Sequence, residues 1–219
     1  MVLTDITIER LATSDIYRVS VLLAESMCTN PNHISIFGDP SSARVEKQRK
    51  MFEMVLSDPK NISFVAKVND EVLGSMTYTT SDYCQLSKYE IFKSLPKYIK
   101  MFGRSLAPVL KWRKKWANHD LASPHVHFGP LAVQKSYQGK GVGKLLLSEF
   151  CQYLDETIQV GYLETDKKAN VSLYEYFGFK VIATDELFGA RNWFLVREVK
   201  KNRAKNDKES QTADNNYIF

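Results

Sequence analysis

The stretch Leu131-Ala132-Val133-Gln134-Lys135-Ser136-Tyr137-Gln138-Gly139-Lys140-Gly141-Val142-Gly143-Lys144-Leu145-Leu146-Leu147 decides the fold of this chain. It predicts a strand, a turn, a glycine-rich loop and a helix in succession, because an apolar run is followed by apolar residues at helical spacing. The glycines therefore stand where a helix begins. The first amides of a helix have no intrahelical acceptor and carry the positive end of its dipole. The loop thus predicts a cradle for a phosphate-like anion.

The spacing of the glycines limits which ligand this loop can hold. A P-loop requires Gly, four residues and then Gly-Lys-Ser/Thr, but here Gly143-Lys144 is followed by leucine. A dinucleotide-binding Gly-x-Gly-x-x-Gly is closer, but Gly139-Lys140-Gly141-Val142-Gly143 brings the third glycine one residue early. Glu164 stands near the ~20-residue offset of a ribose-binding acid and keeps the dinucleotide alternative open.

Two motifs, in order along the chain, resemble the GNAT family of N-acetyltransferases. The first is Gln138-Gly139-Lys140-Gly141-Val142-Gly143, which is similar to the family's Gln/Arg-x-x-Gly-x-Gly/Ala loop for the pyrophosphate of acetyl-CoA. The second is Tyr162-Leu163-Glu164-Thr165-Asp166 followed by Asn170-Val171-Ser172-Leu173-Tyr174-Glu175-Tyr176-Phe177-Gly178-Phe179. It resembles the family's fifth strand and its Asn-x-x-x-Tyr-x-x-x-Gly-Phe helix.

The resemblance extends over residues 125–199 and is fainter at the start of the chain. There, Ile8-Glu9-Arg10-Leu11-Ala12-Thr13-Ser14-Asp15 is similar to the family's opening strand and helix cap. Within the family, Leu163-Glu164-Thr165, Phe177-Gly178-Phe179 and Trp193-Phe194 are similar to puromycin N-acetyltransferases and their uncharacterised relatives.

This resemblance implies an α/β GNAT fold, with a central, mixed, mostly antiparallel sheet of about seven strands flanked by helices. A helical insertion, about residues 82–124, is expected between strands 3 and 4. We expect one GNAT domain over residues 1–199 and a disordered tail over residues 200–219, which is polar and lacks an apolar pattern. Gly129-Pro130 predicts a bulge or splay in the fourth strand, where the resemblance places the thioester.

The implied activity is transfer of an acetyl group from acetyl-CoA to the primary amine of a small molecule, by direct attack on the thioester. Tyr174 matches the family's tyrosine beside the CoA sulfur and is the expected general acid. Glu164 is the first choice of general base, because it is polar at the end of a buried strand. His127 or a water chain is the alternative base, and Asp166 is a weaker candidate.

The expected acetyl-CoA contacts come from the end of the fourth strand, the glycine loop and the later helix. They are Leu131, Ala132, Val133, Gln138, Gly139, Lys140, Gly141, Val142, Gly143, Lys144, Asn170 and Tyr174. Leu131 and Val133 are expected to act through backbone N–H groups that hold the thioester carbonyl. The alternatives to a small-molecule enzyme are a protein or peptide N-acetyltransferase and a non-catalytic acyl-CoA-binding module.

A pair of histidines in the fourth strand raises the question of a metal. His125 and His127 are two residues apart and point to the same face. A metal needs a third ligand, which the sequence does not nominate. Cys28, Cys84 and Cys151 are odd in number and widely spaced, and they match no metal-ligand pattern. We therefore expect no metal, and cysteines that are structural in a reducing compartment.

Positive charge is concentrated in one segment of the chain. The formal net charge is +5, and nine Lys or Arg stand against one acid between Lys88 and His119. Two helices are expected there, roughly Lys88 to Met101 and Ser105 to Ala117, because a structureless loop of this length is uncommon in a compact domain. Aromatic residues are interleaved: Tyr89, Phe92, Tyr98, Phe102, Trp112 and Trp116.

This basic, aromatic segment has three interpretations. It forms a lid over the acceptor site, a nucleic-acid surface in which lysines contact phosphates and aromatics stack on bases, or two plain amphipathic helices. The nucleic-acid surface is the least favoured of the three. Upstream, Pro31 and the Gly38-Asp39-Pro40 turn predict a break between two helices, which places His33 in a loop, at the surface or against substrate.

The overall composition is that of a globular protein. The chain of 219 residues is 44% hydrophobic and 25% charged, which are ordinary values for a globular protein. No apolar run approaches the ~18 residues needed to cross a membrane, and the start of the chain lacks a signal pattern. We expect a cytoplasmic protein without a membrane partner, and a homodimer is left open.

Overall fold

One seven-stranded sheet forms the centre of the protein in a computed structural model, which describes residues 6–85 and 87–199. In chain order its strands are β1 (Thr7–Arg10), β2 (Ile62–Val68), β3 (Glu71–Thr80), β4 (Val126–Val133), β5 (Gly161–Thr165), β6 (Lys180–Leu187) and β7 (Ala190–Arg197). They lie side by side in the order β1-β2-β3-β4-β5-β7-β6. Neighbours are antiparallel except β4 and β5, which are parallel. The predicted mixed, mostly antiparallel sheet is confirmed, and the tail 200–219 lies outside the described residues.

Helices cover both faces of this sheet. They are α1 (Ile16–Met27), α2 (Pro31–Phe37), α3 (Ser42–Leu56), α4 (Ser81–Cys84), α5 (Lys88–Phe102), α6 (Leu106–Ala117), α7 (Val142–Thr157) and α8 (Lys168–Tyr176). The apolar stripe of α7, with Leu146 and Phe150, packs on one face of β3 and β4. On the other face Leu23 of α1 and Phe52 of α3 pack against Val65. Within the described residues, no helix has the length and apolar content that a bilayer crossing requires.

The predicted helical insertion between the third and fourth strands is present as α4, α5 and α6. A capping box starts α5, in which the Ser87 hydroxyl accepts from the Glu90 N–H and Glu90 binds back. Phe102 of α5 and Val109 of α6 are buried together with Phe37 of α2. The insertion therefore packs on α2 and stands at one end of the sheet.

The segment around Pro31 differs from the prediction. It forms the helix α2 instead of a loop, because proline at the first helical position loses no hydrogen bond and already has a helical φ. His33 is consequently a buried helical residue, and the expectation of a loop histidine at the surface is wrong. The last hairpin has a tight turn, with Phe188 and Gly189 alone, both at positive φ, between β6 and β7.

The parallel strands β4 and β5 diverge, as the Gly129-Pro130 pair predicts. They are paired from Val126 with Gly161 to Phe128 with Leu163. Past these positions β4 continues beside β3, and β5 continues beside β7. A gap therefore opens between the carboxyl ends of two neighbouring strands.

Gly161, at the start of β5, is a tightly packed position. A Cβ atom there would lie 2.5 Å from Leu154 Cδ1 and 3.3 Å from the Phe179 ring. Both neighbours are buried, so Gly161→Ala should lower the free energy of unfolding by roughly 1–3 kcal/mol, measured by urea denaturation. The matched control is Gly143→Ala in α7, whose Cβ would make an ordinary 3.5 Å contact with Val133. This control should be neutral or stabilising, since alanine favours a helix; equal losses in both variants would contradict the packing argument.

Candidate active site

A cavity of about 650 Å³ occupies the gap between β4 and β5. Val133 and its neighbours at the end of β4 line one side, and Glu164 and Asp166 at the end of β5 line the other. Tyr174 of α8 and Trp112 of α6 also reach it. The cavity has two ends, one at the glycine loop and one beneath the helical insertion.

The glycine loop shapes the first end. A short 3-10 turn, Lys135–Tyr137, leads to Gly139 at φ 75°, and Gly141 at φ 89° is the residue before α7. These left-handed conformations favour glycine, and no atom lies within 4 Å of a Cβ built on Gly139. The first amides of α7 therefore face open space with their dipole, which fits a pyrophosphate. Gln138 anchors the loop, because its Nε2 donates to the Val133 carbonyl at 3.1 Å.

Backbone N–H groups of β4 point into the gap. The Gln134 N–H donates to the Leu73 carbonyl of β3 at 2.8 Å. Neighbouring N–H groups of a strand point in opposite directions, so those of Leu131 and Val133 face away from β3. Because β5 has diverged at this level, they face the cavity. Two donors are thus available to a carbonyl oxygen bound there.

Tyr174 and Asn170 of α8 lie along the same cavity. Tyr174 is buried. Burial, reinforced by the charge of Asp166, raises the pKa of the Tyr174 hydroxyl, so it remains protonated at neutral pH. The Asn170 amide donates to Thr165 Oγ1 at 3.3 Å, which ties α8 to the end of β5.

His127 and Glu164 form a buried pair across the diverging strands. His127 Nε2 lies 2.7 Å from Glu164 Oε2, and the Glu164 side chain is 2% exposed. Burial has the largest single effect and lowers the pKa of His127, but Glu164, Cys84 and Asp120 together outweigh burial and raise that pKa. The short contact makes His127 Nε2 the donor to Glu164 Oε2, which leaves the other carboxylate oxygen for a ligand. The geometry makes Glu164 the better placed acceptor of a proton.

Aromatic side chains close the second end of the cavity. Trp112 and Trp116 of α6 meet edge to face at 4.9 Å, and Phe52 of α3 stands opposite. His33 of α2 lies among them, 5.1 Å from the Trp112 ring, and its Nδ1 is 2.6 Å from Gln48 Oε1. Burial lowers the pKa of His33, so it is neutral at neutral pH. The sequence alone does not predict that the tryptophans and His33 meet, because their meeting depends on how the insertion packs.

Asp166 adds a second carboxylate to this end. Its Oδ2 accepts from the backbone N–H of Asn32 at 2.8 Å. The Asn32 amide in turn donates to Asn192 Oδ1, which also accepts from Trp116 Nε1 at 3.0 Å. This network joins α2, α6 and β7 around the carboxylate. It fixes the wall of the cavity rather than leaving a free base at Asp166.

The cavity brings together most of the residues expected from the sequence. The side chains of Val142 and Lys140 are exceptions. Val142 is buried in the core under α7, and the Lys140 ammonium lies 5.1 Å from the centre of the Tyr137 ring. Lys144 lines the cavity, with its ammonium 4.8 Å from the Tyr176 ring. Any contact of Val142 or Lys140 with a pyrophosphate must therefore come from the backbone.

A group of side chains behind His127 was not anticipated. Cys84 and Asp120, from the two ends of the insertion, meet His125 and His127. The sequence offers the histidine pair as a signal, but Cys84 and Asp120 are far apart along the chain. Their approach depends on the insertion leaving and rejoining the sheet at the same place.

Comparison with known proteins agrees with this geometry. The model of the "Acetyltransferase (GNAT) family" matches residues 29–179. A Corynebacterium glutamicum structure described as "histone acetyltransferase HPA2 and related acetyltransferase" has a TM-score of 0.71 at 17% identity, over 91% of this chain and 99% of its own. Arylalkylamine N-acetyltransferase 2 from Aedes aegypti has a TM-score of 0.65 at 14% identity, over 90% and 100%. Arabidopsis thaliana NAA60 in complex with acetyl-CoA has a TM-score of 0.52 at 16% identity, over 90% and 99%. At these identities the likeness shows a shared fold.

Proposed function

The chain belongs to the acetyltransferase (GNAT) family, and from that premise we propose that it acetylates the primary amine of a small molecule that carries an aromatic or apolar group. Acetyl-CoA is the acetyl donor, and one domain over residues 1–199 holds both substrates. The observation that carries the proposal is the lining of the second end of the cavity. There, two carboxylates stand beside the aromatic rings of Phe52, Trp112 and Trp116.

This combination suits an amine attached to a flat or apolar body. Carboxylates attract the ammonium form, and aromatic faces attract cations and pack against rings. Trp112 and Trp116 come from the insertion, which supports the interpretation of α6 as a lid over the acceptor. The aromatic rings at this end favour a small molecule with a flat or apolar body over the peptide alternative.

Three proton and charge tasks fall to residues of this chain. Glu164 takes a proton from the ammonium group, so that the free amine can attack the thioester. The N–H groups of Leu131 and Val133 hold the carbonyl oxygen as it gains charge. Tyr174 then donates its proton to the departing thiolate. The amides around Gly139 and Gly141 bind the pyrophosphate, and Asn170 of α8 contacts the pantetheine arm.

Tyr174→Phe should lower turnover by roughly 10- to 100-fold with little change in acetyl-CoA affinity, because it removes a proton donor used in the transition state. Turnover is measured by thiol release, and affinity by calorimetry. Tyr176→Phe is the matched control, since Tyr176 lies on the same helix and is 72% exposed. Equal turnover in wild type and Tyr174→Phe would remove Tyr174 from the mechanism.

A panel of amines tests the acceptor class. The arms are arylalkylamines, aliphatic diamines, a puromycin-type aminoacyl nucleoside and peptides with free N-termini. The third arm follows the resemblance of Leu163-Glu164-Thr165 to puromycin N-acetyltransferases, the first follows the name of the Aedes aegypti structure, and the last tests the peptide alternative. We expect the highest kcat/KM with the aromatic amines. Peptides as the best substrates would favour the protein acetyltransferase, and acetyl-CoA binding without thiol release from any amine would favour the non-catalytic module.

The aromatic wall supplies a second readout for the same test. Trp112→Ala should raise KM for aromatic amines and leave the KM for acetyl-CoA unchanged, because Trp112 stands at the acceptor end. Tyr89→Ala is the control, since Tyr89 belongs to the same insertion but is 71% exposed. An unchanged KM for the amine in Trp112→Ala would place the acceptor elsewhere.

A further inference from the structure

Four potential metal ligands meet where the insertion joins the sheet. Cys84 ends α4, Asp120 follows α6, His125 precedes β4 and His127 lies in β4. One ligand atom from each residue lies within 4.8 Å of the ligand atoms of the other three. The side chains of Asp120 and His125 are 8% and 1% exposed. This is a mixed thiol, carboxylate and imidazole site, partly buried beside the cavity.

Both histidines turn one ring nitrogen away from this group and the other toward it. His125 Nδ1 lies 2.9 Å from the Ser123 carbonyl, so it carries the proton. His125 Nε2 is then unprotonated in the neutral ring, yet it stands 2.8 Å from Asp120 Oδ1. Two lone pairs at this distance repel each other unless a cation lies between them. A metal ion or an additional proton can supply that cation.

His127 shows the same arrangement with its ring nitrogens exchanged. Its Nε2 is 2.7 Å from Glu164 Oε2, so Nε2 is the donor. Its Nδ1 is buried and, within residues 6–85 and 87–199, has no hydrogen-bond partner. A histidine that binds a metal through one nitrogen commonly donates from the other to a carboxylate or a backbone carbonyl. Glu164 and Ser123 already stand in these two positions.

We propose that Cys84, Asp120, His125 and His127 bind one zinc ion. Thiolate and imidazole together favour zinc over magnesium or calcium, which take oxygen ligands. Tetrahedral zinc holds such ligand atoms roughly 3.3–3.6 Å apart, given bonds of about 2.0–2.3 Å. The widest separation, up to 4.8 Å, must therefore shorten by about 1 Å, and the 2.8 Å between His125 Nε2 and Asp120 Oδ1 must lengthen by about 0.5 Å, which side-chain rotation can provide. Asp120 Oδ2 remains bound to the Gln85 amide at 2.7 Å while Oδ1 faces the ion.

The ion has a structural consequence and a consequence for the reaction. It fastens both ends of the insertion, at Cys84 and Asp120, to β4, and so holds α6 with its tryptophans over the acceptor. It also fixes His127 as the donor to Glu164. In the proposed mechanism His127 is then a positioning residue and not an alternative base. The ion takes no part in the bond changes, so its presence is measured without turnover.

Metal analysis of the full-length protein, purified without chelators, tests the proposal directly. We expect about one zinc per chain, as in a four-ligand structural site. Cys84→Ser and Asp120→Asn should lose it. The matched controls are Cys28→Ser, a buried cysteine in another core, and Asp82→Asn, an exposed acid two residues from Cys84; both should keep it.

A spectroscopic measurement on the wild-type protein guards against variants that fail to fold. After chelation and addition of Co²⁺, tetrahedral Co²⁺ bands and a thiolate charge-transfer band should appear and then disappear on addition of Zn²⁺. A chain that contains no zinc and, once chelated, takes up neither Zn²⁺ nor Co²⁺ would overturn the proposal. The two histidines would then carry the extra protons themselves. Cobalt bands without thiolate charge transfer would also overturn it, since they exclude Cys84.

Discussion

Gly141→Asp is expected to lower the affinity for acetyl-CoA by roughly 100-fold, because two unit charges about 6 Å apart repel by about 2.8 kcal/mol at an effective dielectric constant near 20. Gly141 is the residue before α7, at φ 89°, where the amides face the proposed pyrophosphate. Aspartate tolerates the left-handed region better than most residues. The variant should therefore fold, but with a negative charge at the place where the pyrophosphate is proposed to bind. Isothermal titration with acetyl-CoA measures the effect.

Gly189→Asp provides the matched control for this substitution. Gly189 has φ 78° in the turn between β6 and β7, with no atom within 4 Å of a built Cβ. Aspartate at position 189 also has to adopt a positive φ, but it does not face the cavity. The affinity of this variant for acetyl-CoA should therefore match that of the wild type. Comparable melting temperatures for the two variants would separate binding from folding. Normal acetyl-CoA binding by Gly141→Asp would mean that the cradle is misplaced.

Glu164→Gln is expected to lower kcat/KM by roughly 10²- to 10⁴-fold, the range for removing a general base. Glutamine keeps the size of the side chain and can still accept the His127 hydrogen bond, so the loss reports the missing base. Acetyl-CoA affinity should not change, because Glu164 faces the acceptor. Thiol release with the best amine of the panel gives the rate, and calorimetry gives the affinity.

Asp166→Asn distinguishes between the two carboxylates of the cavity. Asp166 accepts from the Asn32 N–H, which the asparagine oxygen can also do. We expect less than a tenfold loss, because its role in the network survives. A larger loss in Asp166→Asn than in Glu164→Gln would exchange the two roles and move the base away from the His127 pair.

The parts of the fold predicted well are those that neighbouring residues determine. The glycine loop and α7 follow from a turn signal beside a helical apolar pattern. The proposed acetyl-CoA end of the cavity could be predicted from the sequence for the same reason. Its expected contacts come from one continuous segment and one short helix, so their order along the chain is enough to predict that they lie together.

The acceptor end could not be predicted in this way. Whether Pro31 breaks or begins a helix depends on packing against the insertion, where Phe37 meets Phe102. The partners of His125 and His127 come from opposite ends of that insertion. The spacing of residues along the chain does not show that Cys84 and Asp120 lie close together in the fold. His33 is neutral because residues from other parts of the chain bury it. The local sequence does not show which residues these are.

The short pairing of β4 with β5 divides the sheet into two halves. One half, which ends in β4, carries the glycine loop and the amides of Leu131 and Val133. The other, which begins with β5, carries Glu164 and α8. Three residue pairs in register join them, so this short junction sets the distance from the proposed base to the carbonyl. Tyr162 forms the middle pair with His127, and substitutions there should alter the rate of acetyl transfer more than the affinity for either substrate.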